Sequence, residues 1–243
     1  DGAQKIDEMC ARAAEDGQQA LAVTDHGNLF GAMAFSKKTR KHGLKPIIGI
    51  EAYIAAGSRH ERQIQMVEGV GKKNYYHLIL LAQNYAGYKN LIKLASAGYL
   101  EGFYYRPRID KQLLAEHSRG LIGLTACLHG EIPMHIKAGR IEAAEESARW
   151  YQQVLGEDNF FLEVQHNGIP IQETVNAALR EISAKLSIPL VASNDCHYLQ
   201  REDVRAHDVL LCIQTGKTIH DNDRLKFRTD QLYFKSKEEM HAY

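Results

Sequence analysis

The sequence has no long apolar run, no surplus of charge of one sign and few cysteines. Its apolar runs stay well short of the about 18 to 20 residues that cross a bilayer, and its amino terminus lacks the layout of a signal peptide, so we expect no membrane partner. Thirty basic residues balance thirty acidic ones, which excludes an overall positive field that would steer the chain to nucleic acid. Any contact with DNA must come from local patches.

The four cysteines, Cys10, Cys127, Cys196 and Cys212, form no Cys-x-x-Cys pair. This spacing excludes a disulfide-dense secreted scaffold and predicts a reducing, cytoplasmic location. Twelve histidines are a high count for 243 residues. That length is sufficient for one large α/β barrel or two small domains.

Short apolar stretches alternate with amphipathic segments along the whole chain. The apolar stretches predict strands and the amphipathic segments predict helices. The predicted strands are 20–23, 45–54, 75–84, 120–126, 160–165 and 188–195. The predicted helices are a first one stopped by Gly17 and then 31–43, 85–100, 110–120, 140–155 and 171–186. This alternation favours a parallel sheet curled into a closed or nearly closed β/α barrel, with 55–73 as a surface excursion.

Residues that can bind a metal ion lie close to the ends of these predicted strands. In a β/α barrel every strand points its carboxyl end at the same rim, where reactive groups gather. Each residue alone is ordinarily a cap, a loop residue or a core residue, but nitrogen, oxygen and sulfur donors from separate strands together suit zinc or manganese. The candidates are His26, Glu51, Cys127, Asp195 and His197, with His77 placed less favourably near the start of its strand.

The stretch "SNDCHYL", residues 193–199, places four polar residues directly after a predicted strand. Side chains alternate along an extended segment, so Asp195 and His197 are expected on one side. Asn194 and Cys196 are then expected to be structural, with Asn194 holding the turn and Cys196 packing against neighbouring helices.

Several motifs carry a resemblance to a known family: "AVTDHGNLFGA", "GIEAYI", "NYYHLILLAQN", "GYKNLIKLAS", "FYYRPRIDKQLL", "CLHGEIP", "SNDCHYL" and "HDVLLCIQTG". In order and content they closely resemble the PHP (polymerase and histidinol phosphatase) domain of bacterial DNA polymerase III alpha subunits. The resemblance implies a distorted seven-stranded (β/α) barrel with up to three divalent ions, zinc or manganese before magnesium, at the carboxyl-end rim. The metal ligands that it implies are Asp1, His26, Glu51, His77, Cys127, Asp195 and His197.

The resemblance also implies a domain layout. The family's first strand and a His-x-His motif come before the Asp-Gly at which this chain opens, so we expect both to be missing from the chain. Residues 1–205 are expected to form the barrel, and residues 206–243 to form a connecting segment towards a polymerase palm domain.

The activity implied by the resemblance is metal-dependent phosphodiester hydrolysis, as a 3′→5′ proofreading exonuclease. Asp195 and His197 would act through bound metals, and Asp25 would orient a ligand histidine without binding the metal itself. Arg106 and Arg108, beside aromatic residues, are candidates for gripping single-stranded DNA. The implied partners are DNA, the remaining polymerase domains, a proofreading subunit and the sliding clamp.

Two other functions compete with the exonuclease. One is a structural and protein-docking module of the same polymerase, in which the metals contribute stability without hydrolysis. The other is a free-standing phosphoesterase acting on a small phosphate, which the connecting segment after Ala206 disfavours.

Overall fold

Ten strands and nine α-helices make up residues 2–242, the part of the chain that the computed structural model describes. The strands are β1 (Ala20–Val23), β2 (Lys45–Ala55), β3 (Gln65–Val67), β4 (Gly71–Lys73), β5 (Tyr75–Ala82), β6 (Phe103–Tyr104), β7 (Arg106–Ile109), β8 (Leu121–Leu124), β9 (Phe160–Gln165) and β10 (Leu190–Ser193). The helices are α1 (Ile6–Glu15), α2 (Ala32–Lys41), α3 (Tyr85–Leu100), α4 (Lys111–Glu116), α5 (Glu131–Lys137), α6 (Ile141–Leu155), α7 (Ile171–Leu186), α8 (Val204–Thr215) and α9 (Lys237–His241).

The main sheet has eight strands and curls into a half-barrel. Its order is β10, β9, β8, β5, β2, β7 and β6, with β1 also paired to β2, while β3 and β4 form a separate hairpin. The long strand β2 pairs in parallel with β1 through its first half and with β7 through its second half. The predicted α/β class and barrel-like architecture are confirmed.

Strand β5 departs from the parallel sheet that the sequence predicts. It runs antiparallel to β2 on one side and to β8 on the other. A parallel neighbour is normally reached by a helical crossover over one face of the sheet. Residues 56–74, which connect β2 to β5, contain the β3–β4 hairpin instead of a helix, so the chain turns back at the rim. The start of β5 therefore lies where β2 ends.

Apolar faces of the helices cover the sheet and form two clusters. The larger joins strand residues such as Leu80 and Leu162 to helix residues such as Leu94 and Leu179. The smaller lies between α1, β1 and α2, around the fully buried Phe35. Within residues 2–242, no helix combines the length and the apolar character that crossing a membrane requires.

The segment after α8 folds back onto the sheet. Leu232 and Lys235 are buried, and the amide of His197 donates to the carbonyl of Leu232 at 2.8 Å. The side chain of Asn194 donates to the carbonyl of Gln231 at 2.9 Å and accepts from Lys235 Nζ at 2.9 Å. These contacts fix the loop that follows β10.

Candidate metal centre

His26, Glu51 and His77 lie together at one rim of the sheet. The pairing of β1 with β2 continues past the end of β1, because the amide of Gly27 donates to the carbonyl of Glu51 at 2.9 Å. His77 lies early in β5 and pairs with Tyr53 near the end of β2, because the two strands are antiparallel. The start of β5 therefore lies at the same rim as the end of β2, and His77 lies at that rim. One ligand atom from each of the three side chains lies within 4.8 Å of the other two. Their donors, two imidazoles and a carboxylate, suit a borderline divalent cation.

The buried carboxylate of Glu51 links the two histidines. Its Oε1 lies 2.7 Å from His77 Nδ1, and its Oε2 lies 3.5 Å from His26 Nδ1. Burial acts to raise the pKa of Glu51, but the hydrogen bond from His77 and the nearby imidazoles outweigh it and hold that pKa below its usual value. Burial lowers the pKa of His26, although Glu51 opposes the shift. The group therefore favours an ionised carboxylate beside neutral imidazole, which is the state that binds metals.

Cys127 joins this group from the loop after β8. Its Sγ lies 3.7 Å from His77 Nδ1. Burial, together with the carboxylates of Asp195 and Glu51, raises the pKa of the thiol well above its ordinary value. A cation would be needed to hold Cys127 as a thiolate at neutral pH.

Asp195 and His197 reach the same place from the loop after β10. A cleft of about 660 Å³ is lined by these two residues and by His26, Glu51 and Cys127. The Oδ1 atom of Asp195 lies 3.9 Å from His197 Nδ1. Burial raises the pKa of Asp195, and the neighbouring His197 opposes this shift. Unlike Glu51, Asp195 is thus a carboxyl group that is difficult to ionise without a cation, and it lines the cleft.

The loop geometry confirms one part of the alternation prediction and corrects another. Asp195 has a φ of 47°, so the segment is not extended, and Asn194 and Cys196 line the cleft as well. Asn194 is buried and structural, as predicted. Cys196 does not pack against helices, since it is exposed and its Sγ contacts the carbonyl of Tyr233 at 3.5 Å. The left-handed backbone at Asp195 breaks the two-residue period on which that prediction depended.

The sequence reasoning missed Glu163, a buried carboxyl in the wall of the same cleft. It lies in β9, and its side chain contacts Ser193 and Gln165. A charged residue inside the otherwise apolar run "FFLEV" was the available signal, because such residues are rarely buried without a role.

The two candidate DNA-binding arginines have different environments. Arg106 is exposed, lines the cleft and lies 6.0 Å from the centre of the Tyr53 ring. Arg108 is 2% exposed, and all three of its guanidinium nitrogens donate hydrogen bonds within the domain. The acceptors are the carbonyls of Gly102, Arg59 and Glu61 and the side chain of Asn74. The structure contradicts the prediction that Arg108 contacts DNA, because the guanidinium is buried and four of its five N–H groups already donate within the domain.

Two further residues predicted from the sequence are Asp25 and Asp1. Asp25 is exposed at the edge of the cleft, and its carbonyl accepts from the amide of Glu51 at 3.1 Å. Within residues 2–242 its carboxylate makes no hydrogen bond to a ligand histidine. Asp1 lies outside the described residues.

Comparison with known families supplies the classification. The family model described as the PHP domain matches residues 1–167. The chain belongs to the PHP domain family.

Three curated relatives of this PHP domain are DNA polymerase III alpha subunits. The chain is 50% identical over 240 residues to the protein of Borreliella burgdorferi and 48% identical over 240 residues to that of Treponema pallidum. It is 47% identical over 245 residues to that of Thermus aquaticus. The alignments cover 99% to 100% of this chain and 20% of each relative. The chain therefore spans about a fifth of the length of the relatives it matches.

A matched pair of cysteine substitutions tests the ligand assignment in this PHP domain. Cys127→Ser in the complete protein is expected to weaken metal binding by about tenfold or more, because a serine hydroxyl is a poor substitute for a thiolate. Cys196→Ser is expected to leave binding nearly unchanged, since the Cys196 thiol contacts the Tyr233 carbonyl. Metal content after dialysis, measured by elemental analysis, checks both. Equal losses in the two variants would contradict the assignment of Cys127.

Proposed function

We propose that this chain is the PHP domain of a DNA polymerase III alpha subunit and that its rim site is a metal-dependent 3′→5′ proofreading exonuclease. The relatives named above support the first part, and the family supports a phosphoesterase site. The observation that carries the proposal is the convergence of metal-binding side chains from five strands of the sheet, or the loops that follow them, on one rim.

The proposed ligands fit a cluster of up to three divalent ions, with zinc or manganese favoured by the mixed donors and magnesium as the alternative. When bound, such ions lower the pKa of a coordinated water and neutralise the charge of phosphate oxygens. The residues assigned to hold them are Asp1, His26, Glu51, His77, Cys127, Asp195 and His197.

Other residues of the chain would position the DNA. The exposed guanidinium of Arg106, at the edge of the cleft, suits a phosphate of the strand entering the site. The Arg106 guanidinium lies 6.0 Å from the centre of the Tyr53 ring, within reach of a cation–π contact. Asp25, which also lines the cleft, remains a candidate for orienting a ligand when metal is bound.

The proposal extends to the domain layout, the partners and the location. Residues 1–205 would be the barrel, and residues 206–243 the connection towards the palm. The partners would be DNA, the remaining polymerase domains, a proofreading subunit and the sliding clamp, in the cytoplasm.

The experiment is a metal-exchange assay on the complete protein with a primer carrying a mismatched 3′ end. Treatment with a chelator is expected to stop removal of the terminal nucleotide, and one of zinc, manganese or magnesium is expected to restore it. The same preparation with His77→Ala controls for contaminating nuclease, since that variant should not recover. Full metal occupancy without any removal of the mismatch would contradict the exonuclease.

A structural and docking role is the second candidate, favoured by one observation. The loop bearing Asp195 and His197 is tied to residues 231–235 by hydrogen bonds from both its backbone and Asn194. Metal bound at the loop would then stabilise residues 231–235 of the connecting segment. In that case removal of the metal would impair nucleotide addition and mismatch removal by a bound partner together.

A further inference from the structure

Phe30, Tyr99 and Phe103 form a row of exposed aromatic rings, called the aromatic row below. The ring centres of Phe30 and Tyr99 lie 6.2 Å apart, and those of Tyr99 and Phe103 also lie 6.2 Å apart. Neighbouring ring planes differ by 35° and 27°, so the rings do not pack edge to face. Phe30 is 82% exposed, Phe103 46% and Tyr99 42%. A single exposed aromatic residue is ordinary, whereas a contiguous exposed group commonly marks a binding surface.

The loop after β1 fixes the first ring of the aromatic row next to the cleft. The side chain of Asn28 donates to the carbonyl of His26 at 3.0 Å and accepts from the amide of Phe30 at 2.9 Å. Asn28 and Gly31, on either side of Phe30 in the sequence, both line the cleft. The aromatic row therefore begins at the edge of the candidate metal centre.

The three elements that carry the aromatic row meet at Pro107 in β7. A Cβ atom at Gly27, in the loop after β1, would lie 2.8 Å from the Pro107 ring. A Cβ atom at Gly98, the residue before Tyr99 in α3, would lie 3.2 Å from the Pro107 carbonyl oxygen. Phe103 of β6 pairs with Pro107 in the antiparallel register. Close backbone packing thus holds all three rings on one part of the surface.

Two exposed guanidinium groups lie beside the aromatic row. Arg62 Nη1 donates to the carbonyl of Phe103, and Arg106, the residue before Pro107, lines the cleft. The nearby carboxylate of Glu101 is paired with Arg59 at 2.8 Å. Aromatic faces with cations beside them match single-stranded DNA, whose bases stack on the rings while its phosphates contact the cations. This charge favours a nucleic acid strand over an apolar segment of a protein partner.

We propose that the aromatic row binds the unpaired bases of the DNA strand whose 3′ end enters the cleft. This role rests on the proposed exonuclease function. Bases within a duplex are stacked on both faces, whereas the bases of a mismatched end unstack at low cost. The rings stack on these freed bases, and Arg62 and Arg106 contact the phosphates. The aromatic row therefore selects a frayed primer end over a paired one without reading its sequence.

Photo-cross-linking tests the contact without requiring hydrolysis. The complete protein is irradiated with primer–template DNA that carries 5-iodouracil at the 3′ end and a phosphorothioate at the terminal linkage to slow its removal. Mass spectrometry then identifies the cross-linked residues. We expect cross-links at Phe30, Tyr99 or Phe103 from a mismatched end, and at least about fivefold fewer from a paired end. Cross-links at none of the three rings would overturn the proposal, including the case in which another domain of the polymerase covers them.

Phe30→Leu tests the contribution of stacking to the reaction. The substitution removes the ring at a highly exposed position, so folding should be unaffected. In the complete protein, the KM for removal of a mismatched 3′ nucleotide is expected to rise by about fivefold or more. The kcat should change little, because stacking is lost equally from the bound substrate and the transition state. Removal from a paired end should change less, so the preference for mismatched ends should fall.

Tyr85→Leu is the matched control. Tyr85 is 71% exposed and has Lys89 Nζ 4.8 Å from its ring centre. It is therefore an exposed aromatic residue beside a cation, like those of the aromatic row. It begins α3, however, and lies about 20 Å along that helix from Tyr99. Its substitution should leave KM, kcat and the preference for mismatched ends unchanged.

The possible outcomes separate this proposal from the exonuclease function. Unchanged KM in Phe30→Leu, or equal rises in Phe30→Leu and Tyr85→Leu, would refute the role of the aromatic row. Removal of mismatches without cross-links to the rings would do the same while the exonuclease stands. If the wild-type protein forms the cross-links but removes no nucleotide, the exonuclease fails and the base-binding role stands.

Discussion

Replacing Asp195 by Asn in the complete protein is expected to slow metal-dependent removal of a mismatched 3′ nucleotide by about 100-fold or more, while nucleotide addition stays largely intact. The substitution removes a ligand charge from the cleft and keeps the side-chain shape. Asparagine also tolerates the left-handed backbone found at this position, where φ is 47°. The loss should therefore be chemical and not a consequence of misfolding. Gel assays of primer degradation and extension on one preparation measure both activities.

A control variant and two contrary results accompany the Asp195→Asn experiment. Asp158→Asn changes an exposed carboxylate on the turn Glu157–Asn159 and should alter neither activity. If the site is structural, Asp195→Asn should instead lower the unfolding temperature and weaken nucleotide addition along with degradation, because bound metal contributes folding free energy. Unchanged degradation by a variant shown to lack metal would overturn the exonuclease.

The second large effect concerns stability. Arg108→Met is expected to lower the free energy of local opening around β2 and β7 by about 3 to 5 kcal/mol, because three carbonyls and the Asn74 side chain lose a buried donor. Arg106→Met should change this free energy by less than about 0.5 kcal/mol, since the side chain is exposed. Hydrogen exchange of the strand amides in the complete protein measures both.

The two variants should also differ in DNA binding. Arg106→Met is expected to weaken the salt-dependent binding of single-stranded DNA, whereas Arg108→Met, at a temperature where it remains folded, should not. A stable Arg108→Met protein with weakened DNA binding would reverse the roles assigned to these neighbours.

The ligand candidates could be predicted from the sequence because each lies next to an apolar strand. His26, Cys127 and Asp195 follow strands whose hydrophobic pattern is clear, and Glu51 follows the apolar first half of β2. The direction of β5 could not be predicted, because an apolar strand has the same pattern in either direction. His77 was consequently judged to lie at the unfavourable end of its strand.

The burial of individual polar side chains also could not be predicted from the sequence. Arg106 and Arg108 are two residues apart in "FYYRPRID", yet one is exposed and the other is enclosed by residues 59–61, 74 and 102. Nothing local distinguishes them, because the enclosing carbonyls come from distant parts of the chain. Glu163 was missed for the same reason, since its significance depends on Ser193, 30 residues away.

The antiparallel pairing of β5 with β2 has a consequence for the order in which the site assembles during synthesis. His26, Glu51 and His77 are joined by two strand pairings that are complete once Ala82 has been made. Asp195 lies more than 100 residues further along the chain, which takes a ribosome at least about 5 s at about 20 residues per second. Closing a short loop also costs less chain entropy than closing a long one. On the proposed ligand assignment, the nascent chain would present His26, Glu51 and His77 to the first available cation before the remaining ligands have been synthesised.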